Sequence, residues 1–126
     1  MNRRVTSLMM ERLGYQLNTV NNGAEAFAAV RARTFSLVLM DIEMPRMTGI
    51  EATRCIYGYF LGAVERPYIV ALTASADEAS CRHAGMDSYL RKPIGLTDLC
   101  DTITKGLTEV YRRRAKPTPW TPRETP

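Results

Sequence analysis

The stretch Phe35-Ser-Leu-Val-Leu-Met-Asp41-Ile-Glu-Met-Pro-Arg-Met-Thr-Gly49 breaks sharply at Asp41. Before it, Phe35 to Met40 is a short, nearly unbroken apolar run, the composition expected of a strand covered on both faces. After it, the segment from Ile42 to Gly49 carries turn chemistry, and helical spacing resumes from Ile50 to Phe60 through Ile50, Ala52, Ile56 and Phe60. A buried strand that gives way to a polar loop and then to an amphipathic helix is the repeating unit of parallel α/β sheets.

Working outward, Tyr68 to Leu72 is a second buried strand closed by Thr73, and Ala74 to Ala84 reads as a short polar helix with Gly85 placed to end it. Ser88 to Arg91 is a last short strand, Lys92-Pro93 a sharp turn, and Leu96 to Tyr111 an amphipathic helix with Leu99, Ile103, Leu107 and Val110 on one stripe. Toward the N-terminus, Val5, Leu8, Met9 and Leu13 recur at helical spacing, with Gly14 placed to end that helix. Tyr15 to Val20 alternates like a half-buried edge strand, Asn21-Asn22-Gly23 signals a turn, and the alanine-rich run Ala24 to Arg33 reads as a second helix. A helix followed by strand and helix in alternation predicts a doubly wound, mostly parallel sheet of about four strands and five helices.

The chain has 126 residues, 45% hydrophobic and 24% charged, which suits one folded unit. The expected division is a domain over 1–111 and a disordered basic, proline-rich tail over 112–126. The net charge of +4 is concentrated there, in Arg112, Arg113, Arg114 and Lys116. Such a run reads as a solvated linker before it reads as a nucleic-acid contact. Cys55, Cys81 and Cys100 are odd in number and widely spaced, which argues against a disulfide framework or a zinc site and for a reducing compartment. No apolar stretch approaches the roughly 20 residues that cross a bilayer. The expectation is a cytoplasmic protein with no membrane contact.

Strand ends at the carboxyl edge of a parallel sheet are where ligands gather in this architecture. Asp41, Thr73 and Lys92 each follow or end a strand. Singly, each has an ordinary explanation, as a helix cap, a strand-end hydroxyl or a surface cation. Together, a carboxylate to attack phosphorus and a hydroxyl and cation to bind its oxygens make a phosphoryl-transfer site. A phosphatase-like hydrolase is disfavoured, because the Asp-x-Asp arrangement wanted for proton transfer is absent at Glu43.

Three segments resemble the receiver domains of response regulators and hybrid histidine kinases. They are Leu37-Val-Leu-Met-Asp-Ile-Glu-Met-Pro-Arg-Met-Thr-Gly-Ile-Glu-Ala-Thr-Arg54, Tyr68-Ile-Val-Ala-Leu-Thr-Ala74 and Ala84-Gly-Met-Asp-Ser-Tyr-Leu-Arg-Lys-Pro-Ile94. The resemblance, over about residues 1–111, implies a flavodoxin-like fold with Asp41 as phosphoacceptor, Thr73 and Tyr89 as switch residues, and Lys92 as charge partner. It also implies that Asp41 and the backbone carbonyl of Glu43 bind magnesium, that Met44-Pro45 shapes the loop beside the acceptor, and that Pro93 follows a peptide bond commonly cis in the family. The implied partner is a histidine kinase or histidine phosphotransfer protein; membership of a larger hybrid kinase and homodimerisation are left open.

The family's first strand and its pair of adjacent acids have no counterpart here, since the text from Asn2 resembles the helix that follows them. The implied metal site is therefore incomplete, with weak or absent magnesium binding. Three arrangements answer the gap: the strand at Tyr15 to Val20 pairs directly with that at Phe35 to Met40 in a four-stranded sheet, which is the favoured expectation, a second chain supplies a strand, or the chain is a fragment that folds poorly alone. The helix between Thr73 and Gly85 is shorter than usual, and Thr48 and Ser88 replace residues that are commonly acidic. Two functions follow: a phosphorelay receiver, which is a phosphoacceptor rather than a turnover enzyme, or a degenerate pseudo-receiver acting as a protein-interaction module.

Overall fold

The computed structural model describes residues 19–43, 47–61, 63, 65–74 and 78–115. Three strands and four helices alternate along them: α1 (Gly23–Ala32), β1 (Leu37–Asp41), α2 (Gly49–Phe60), β2 (Tyr68–Thr73), α3 (Glu78–Ala84), β3 (Ser88–Arg91) and α4 (Leu96–Ala115). The strands form one parallel sheet in the order β1-β2-β3. The doubly wound α/β architecture is the one expected. The helix expected over 2–13 lies outside the described residues, as does most of the strand expected over Tyr15 to Val20, whose last two residues, Thr19 and Val20, are not in a strand.

The strand β2 is the centre of the described sheet, and Ile69 to Thr73 are all buried. Its side chains alternate between two cores, as the period of two requires. Ile69 and Ala71 face a cluster with Met40, Ala26 and Val30 of α1, Ala52 and Ile56 of α2, and Cys81. Val70 and Leu72 face the other side, where Leu90 and Ile94 meet Leu99 and Ile103 of α4. The helices α1, α2 and α3 thus cover one face and α4 the other. Of the apolar residues of β1, only Met40 is fully buried; Leu37 to Leu39 are half-buried. The cover is nevertheless two-sided, as expected of this run: Val38 and Met40 pack into the core under α1 and α2, and Leu37 and Leu39 against the core under α4. Among the described residues β1 pairs with β2 alone.

Helix boundaries follow local chemistry. The Asn22 side chain caps α1 by accepting from Glu25 N at 2.9 Å, while Glu25 Oε1 accepts from Asn21 N at 2.8 Å. Thr48 caps α2 in a reciprocal capping box with Glu51. A threonine can cap there, though aspartate ranks above it at this position. Gly85 ends the α3 segment with φ +105, and a Cβ there would stand 2.5 Å from the Tyr57 ring. The helix α3 has seven residues and begins at Glu78; Ala74, expected to open it, lies in a bend, and 75–77 are outside the described residues.

The largest departure from expectation is at the end of α4. The helix does not stop at Tyr111 but continues through Arg112, Arg113 and Arg114 to Ala115. Arginine is a good helix former and complements the negative end of the helix dipole. Arg112 and Arg113 both pair with Glu109, one turn back, and Arg113 Nη2 also reaches Asp87 Oδ1 at 3.4 Å. Arg114 donates to the carbonyls of Phe35 and Glu65. These arginines lie in the helix, which runs four residues past the boundary expected at 111; 116–126 lie outside the described residues.

At the amino-terminal ends of β2 and β3, Asp87 is a hub. Its carboxylate takes a two-pronged ion pair from Arg66, 3.0 Å at each oxygen, and accepts the Ile69 amide at 2.8 Å. Arg66 is 9% exposed. Breaking a largely buried pair leaves an uncompensated charge, so Asp87→Ala should lower stability by about 3 kcal/mol in urea unfolding, with Asp87→Asn losing less. At the opposite end, a Cβ on Gly49 would lie 2.4 Å from the Asp41 carbonyl oxygen. Gly49→Ala should cost about 2 kcal/mol in the same measurement, because the backbone of β1 or α2 must shift.

Candidate functional site

The carboxyl ends of the three strands converge on one edge. Asp41 closes β1, Thr73 closes β2, and Lys92 follows β3 directly. β1 and β3 pair on opposite sides of β2, with Asp41 level with Leu72 and Arg91 level with Thr73. The ladders run one residue beyond the outer strands: Ile42 N donates to Leu72 O at 2.9 Å and Lys92 N to Thr73 O at 2.8 Å. Backbone hydrogen bonding therefore places the two charged side chains on either side of the buried threonine.

The side chains join in one connected set. Lys92 Nζ donates to Asp41 Oδ1 at 2.8 Å, with the two side chains 12% and 18% exposed. The same ammonium reaches Glu43 Oε1 at 3.1 Å. Thr73 Oγ1 donates to Glu43 Oε2 at 3.2 Å. Glu43 N in turn donates to Asp41 Oδ1 at 3.0 Å, an Asx turn that folds the loop back over the strand end. All three residues predicted as catalytic are thus within one hydrogen-bonded network, and Lys92-Pro93 is a cis peptide bond.

The electrostatics follow from this packing. Burial pushes the Glu43 carboxyl up, but hydrogen bonds from Lys92, Thr73 and the Ala74 backbone, with the charge of Lys92, outweigh it and hold the group below its ordinary value. Burial pulls the Lys92 ammonium down; hydrogen bonds to Asp41 and Glu43 and the Asp41 charge reverse that and raise it. The site rests as an anion–cation cluster with Lys92 charged.

Tyr89 stands on β3 level with Ala71, half-buried against the α1–α2 side core, and shares a hydrogen bond with the Glu78 carboxylate. Met44-Pro45, expected to shape the loop, lies outside the described residues. The role of the Glu43 side chain was not anticipated: the sequence reading used only its carbonyl. The available signal was an acid two positions beyond a strand-terminal acid, where a tight turn brings both to one side.

Magnesium takes about six oxygen ligands, usually including carboxylates, waters and phosphate. Among the described residues no group of three or more His, Cys, Asp or Glu side chains gathers. Both described carboxylates at this edge, Asp41 and Glu43, already hold the Lys92 ammonium. The described donor set alone does not fit a magnesium ion.

With this geometry in place, the comparisons with known proteins agree on one family. The family model for the response regulator receiver domain matches residues 1–104. A probable histidine kinase 1 of Oryza sativa subsp. indica is 30% identical over 138 residues, covering 84% of this chain but only 14% of that protein. The receiver domain of the sensor histidine kinase PA1611 from Pseudomonas aeruginosa, solved with magnesium in its active-site cleft, is 32% identical with a TM-score of 0.77, covering 85% of this chain and 88% of that one. A chain from the Saccharomyces cerevisiae complex of the phosphotransfer protein Ypd1 with the receiver domain of Ssk1 is 25% identical with a TM-score of 0.78, covering 86% of this chain and 83% of that one. Among the described residues no helix is long and apolar enough to cross a membrane. A parallel sheet whose strand ends gather Asp41, Thr73 and Lys92, matched by a family model over most of its length, makes this chain a member of the response regulator receiver domain family.

Proposed function

We propose that this chain is a phosphorelay receiver that accepts a phosphoryl group on Asp41 from the histidine of a kinase or phosphotransfer protein. The observation that carries the reading is Lys92 Nζ at 2.8 Å from Asp41 Oδ1, with the Thr73 hydroxyl in the same network. An Asp41 carboxylate oxygen attacks phosphorus as the bond to the donor's histidine nitrogen breaks and its electron pair returns to the imidazole. Lys92 and Thr73 then hold the phosphoryl oxygens. The product is a modified chain, not a released compound, so the domain is a phosphoacceptor rather than a turnover enzyme. A phosphotransfer protein solved with the receiver domain of Ssk1 supports a partner of that kind.

Aspartyl phosphate brings close to two negative charges into a confined edge, and the groups that answer it are Thr73 and Lys92. The readout is a biased equilibrium between two arrangements of Thr73, Tyr89 and the adjoining loops. A cytoplasmic location fits this chemistry, since its phosphodonors are there.

One observation favours a second reading, a pseudo-receiver that keeps the binding face without the chemistry. Asp41 and Glu43 are the described carboxylates at the edge, and both are engaged by the Lys92 ammonium. Intact mass after incubation with acetyl phosphate and magnesium separates the two readings. The phosphorelay reading expects one added phosphoryl group, absent in Asp41→Asn, and a rate reduced roughly a hundredfold in Lys92→Ala. No addition to a chain whose circular dichroism is that of a folded α/β protein overturns the phosphorelay reading for this stretch of sequence and favours a pseudo-receiver or a fragment of a longer receiver.

A further inference from the structure

Glu43 makes more contacts at the site than its predicted part requires. Its two carboxylate oxygens engage two different groups: Oε1 accepts from Lys92 Nζ at 3.1 Å and Oε2 from Thr73 Oγ1 at 3.2 Å. Those are the two donors reserved, in the phosphorelay reading, for phosphoryl oxygens. The carboxylate reaches them from the solvent side, for the Glu43 side chain is 48% exposed whereas that of Lys92 is 12% exposed. The Asx turn from Glu43 N to Asp41 Oδ1 brings it there.

We infer that Glu43 is a positioning residue whose carboxylate stands in for phosphoryl oxygens in the unmodified chain. It holds Thr73 and Lys92 drawn in toward the edge, and it must swing out before Asp41 can be modified. This rests on the phosphorelay reading of Asp41. The competition centres on Thr73: a hydroxyl has one proton to donate, so it serves Glu43 or a phosphoryl oxygen but not both. Lys92 has three donors and can hold Asp41 and Glu43 at once. Charge acts in the same sense. A second carboxylate beside Asp41 repels an anionic phosphodonor, and a phosphoryl group once attached repels Glu43. The sequence places this acid two residues past the acceptor, and the strand register brings Thr73 and Lys92 to it.

The test compares the whole chain with Glu43→Gln and Glu43→Ala in two measurements, with circular dichroism confirming the fold of each. The first is nuclear magnetic resonance of the Thr73 side chain and Lys92 ammonium without phosphodonor. In Glu43→Ala the Thr73 χ1 population should change and the Lys92 signal shift. In Glu43→Gln, which keeps an acceptor but loses the charge, Thr73 should stay near its original state while Lys92 shifts. An unmoved Thr73 in Glu43→Ala overturns the inference. The second is the rate of phosphoryl uptake from acetyl phosphate with magnesium, expected to rise roughly threefold to tenfold in Glu43→Ala from loss of a charge-assisted contact at a half-exposed position. Uptake at an equal or lower rate overturns it. Should no version take up phosphoryl, the phosphorelay reading fails and the stand-in falls with it; uptake that is no faster in Glu43→Ala overturns the stand-in alone and leaves the phosphorelay reading in place.

Discussion

The parallel register of the strands is the constraint on which the site depends. Asp41 closes β1 and Lys92 follows β3, strands that do not pair with each other because the central strand β2 separates them. Ladder hydrogen bonds fix Asp41 level with Leu72 and Arg91 level with Thr73. Because side chains alternate from face to face along a strand, a slip of one residue would turn the apolar residues of β2 to the wrong cores and destroy the meeting of these groups at the same time. Packing on both faces of β2 therefore enforces the chemistry at its end. The site needs no separate scaffold.

The two ends of the sheet solve different electrostatic problems. At the amino-terminal end, Asp87 meets Arg66, Arg113 and the Ile69 amide, so every charge is answered by a fixed partner. At the carboxyl end, two carboxylates share one ammonium, and one of them, on Glu43, is half exposed. The first arrangement has one good state. The second has an acid that can leave, and any arriving anion must compete for a lysine and a hydroxyl that are already occupied.

Much of the fold was legible because it rests on local patterns. The apolar run before Asp41 announced β1, although Asp41 itself still belongs to the ladder; Ser88 to Arg91 was read with its boundaries intact. Asp41, Thr73 and Lys92 were legible as a site because each sits at a strand end, and the topology does the rest. What was not legible depends on distance. Asp87 meets Arg66 and Arg113 from 21 and 26 residues away, and nothing in composition marks that hub. Arg112 to Arg114 looked like a solvated tail because their partners, Glu109 apart, lie on other elements. The side chain of Glu43 was overlooked because its direction is set by a turn, not by periodicity.

The extension of α4 has a mechanical consequence. Only Pro93, Ile94 and Gly95 separate Lys92 from the start of this 20-residue helix. At about 1.5 Å per residue it is a rod roughly 30 Å long. Its far end is fastened by Arg113 to Asp87 and by Arg114 to the carbonyls of Phe35 and Glu65. Its near half is held as well, because Leu99 and Ile103 are buried against Val70 and Leu72 of β2. A rod tied to the sheet along its length does not bend at one end alone, so a displacement beside Lys92 is carried to the arginine end, some 20 residues away.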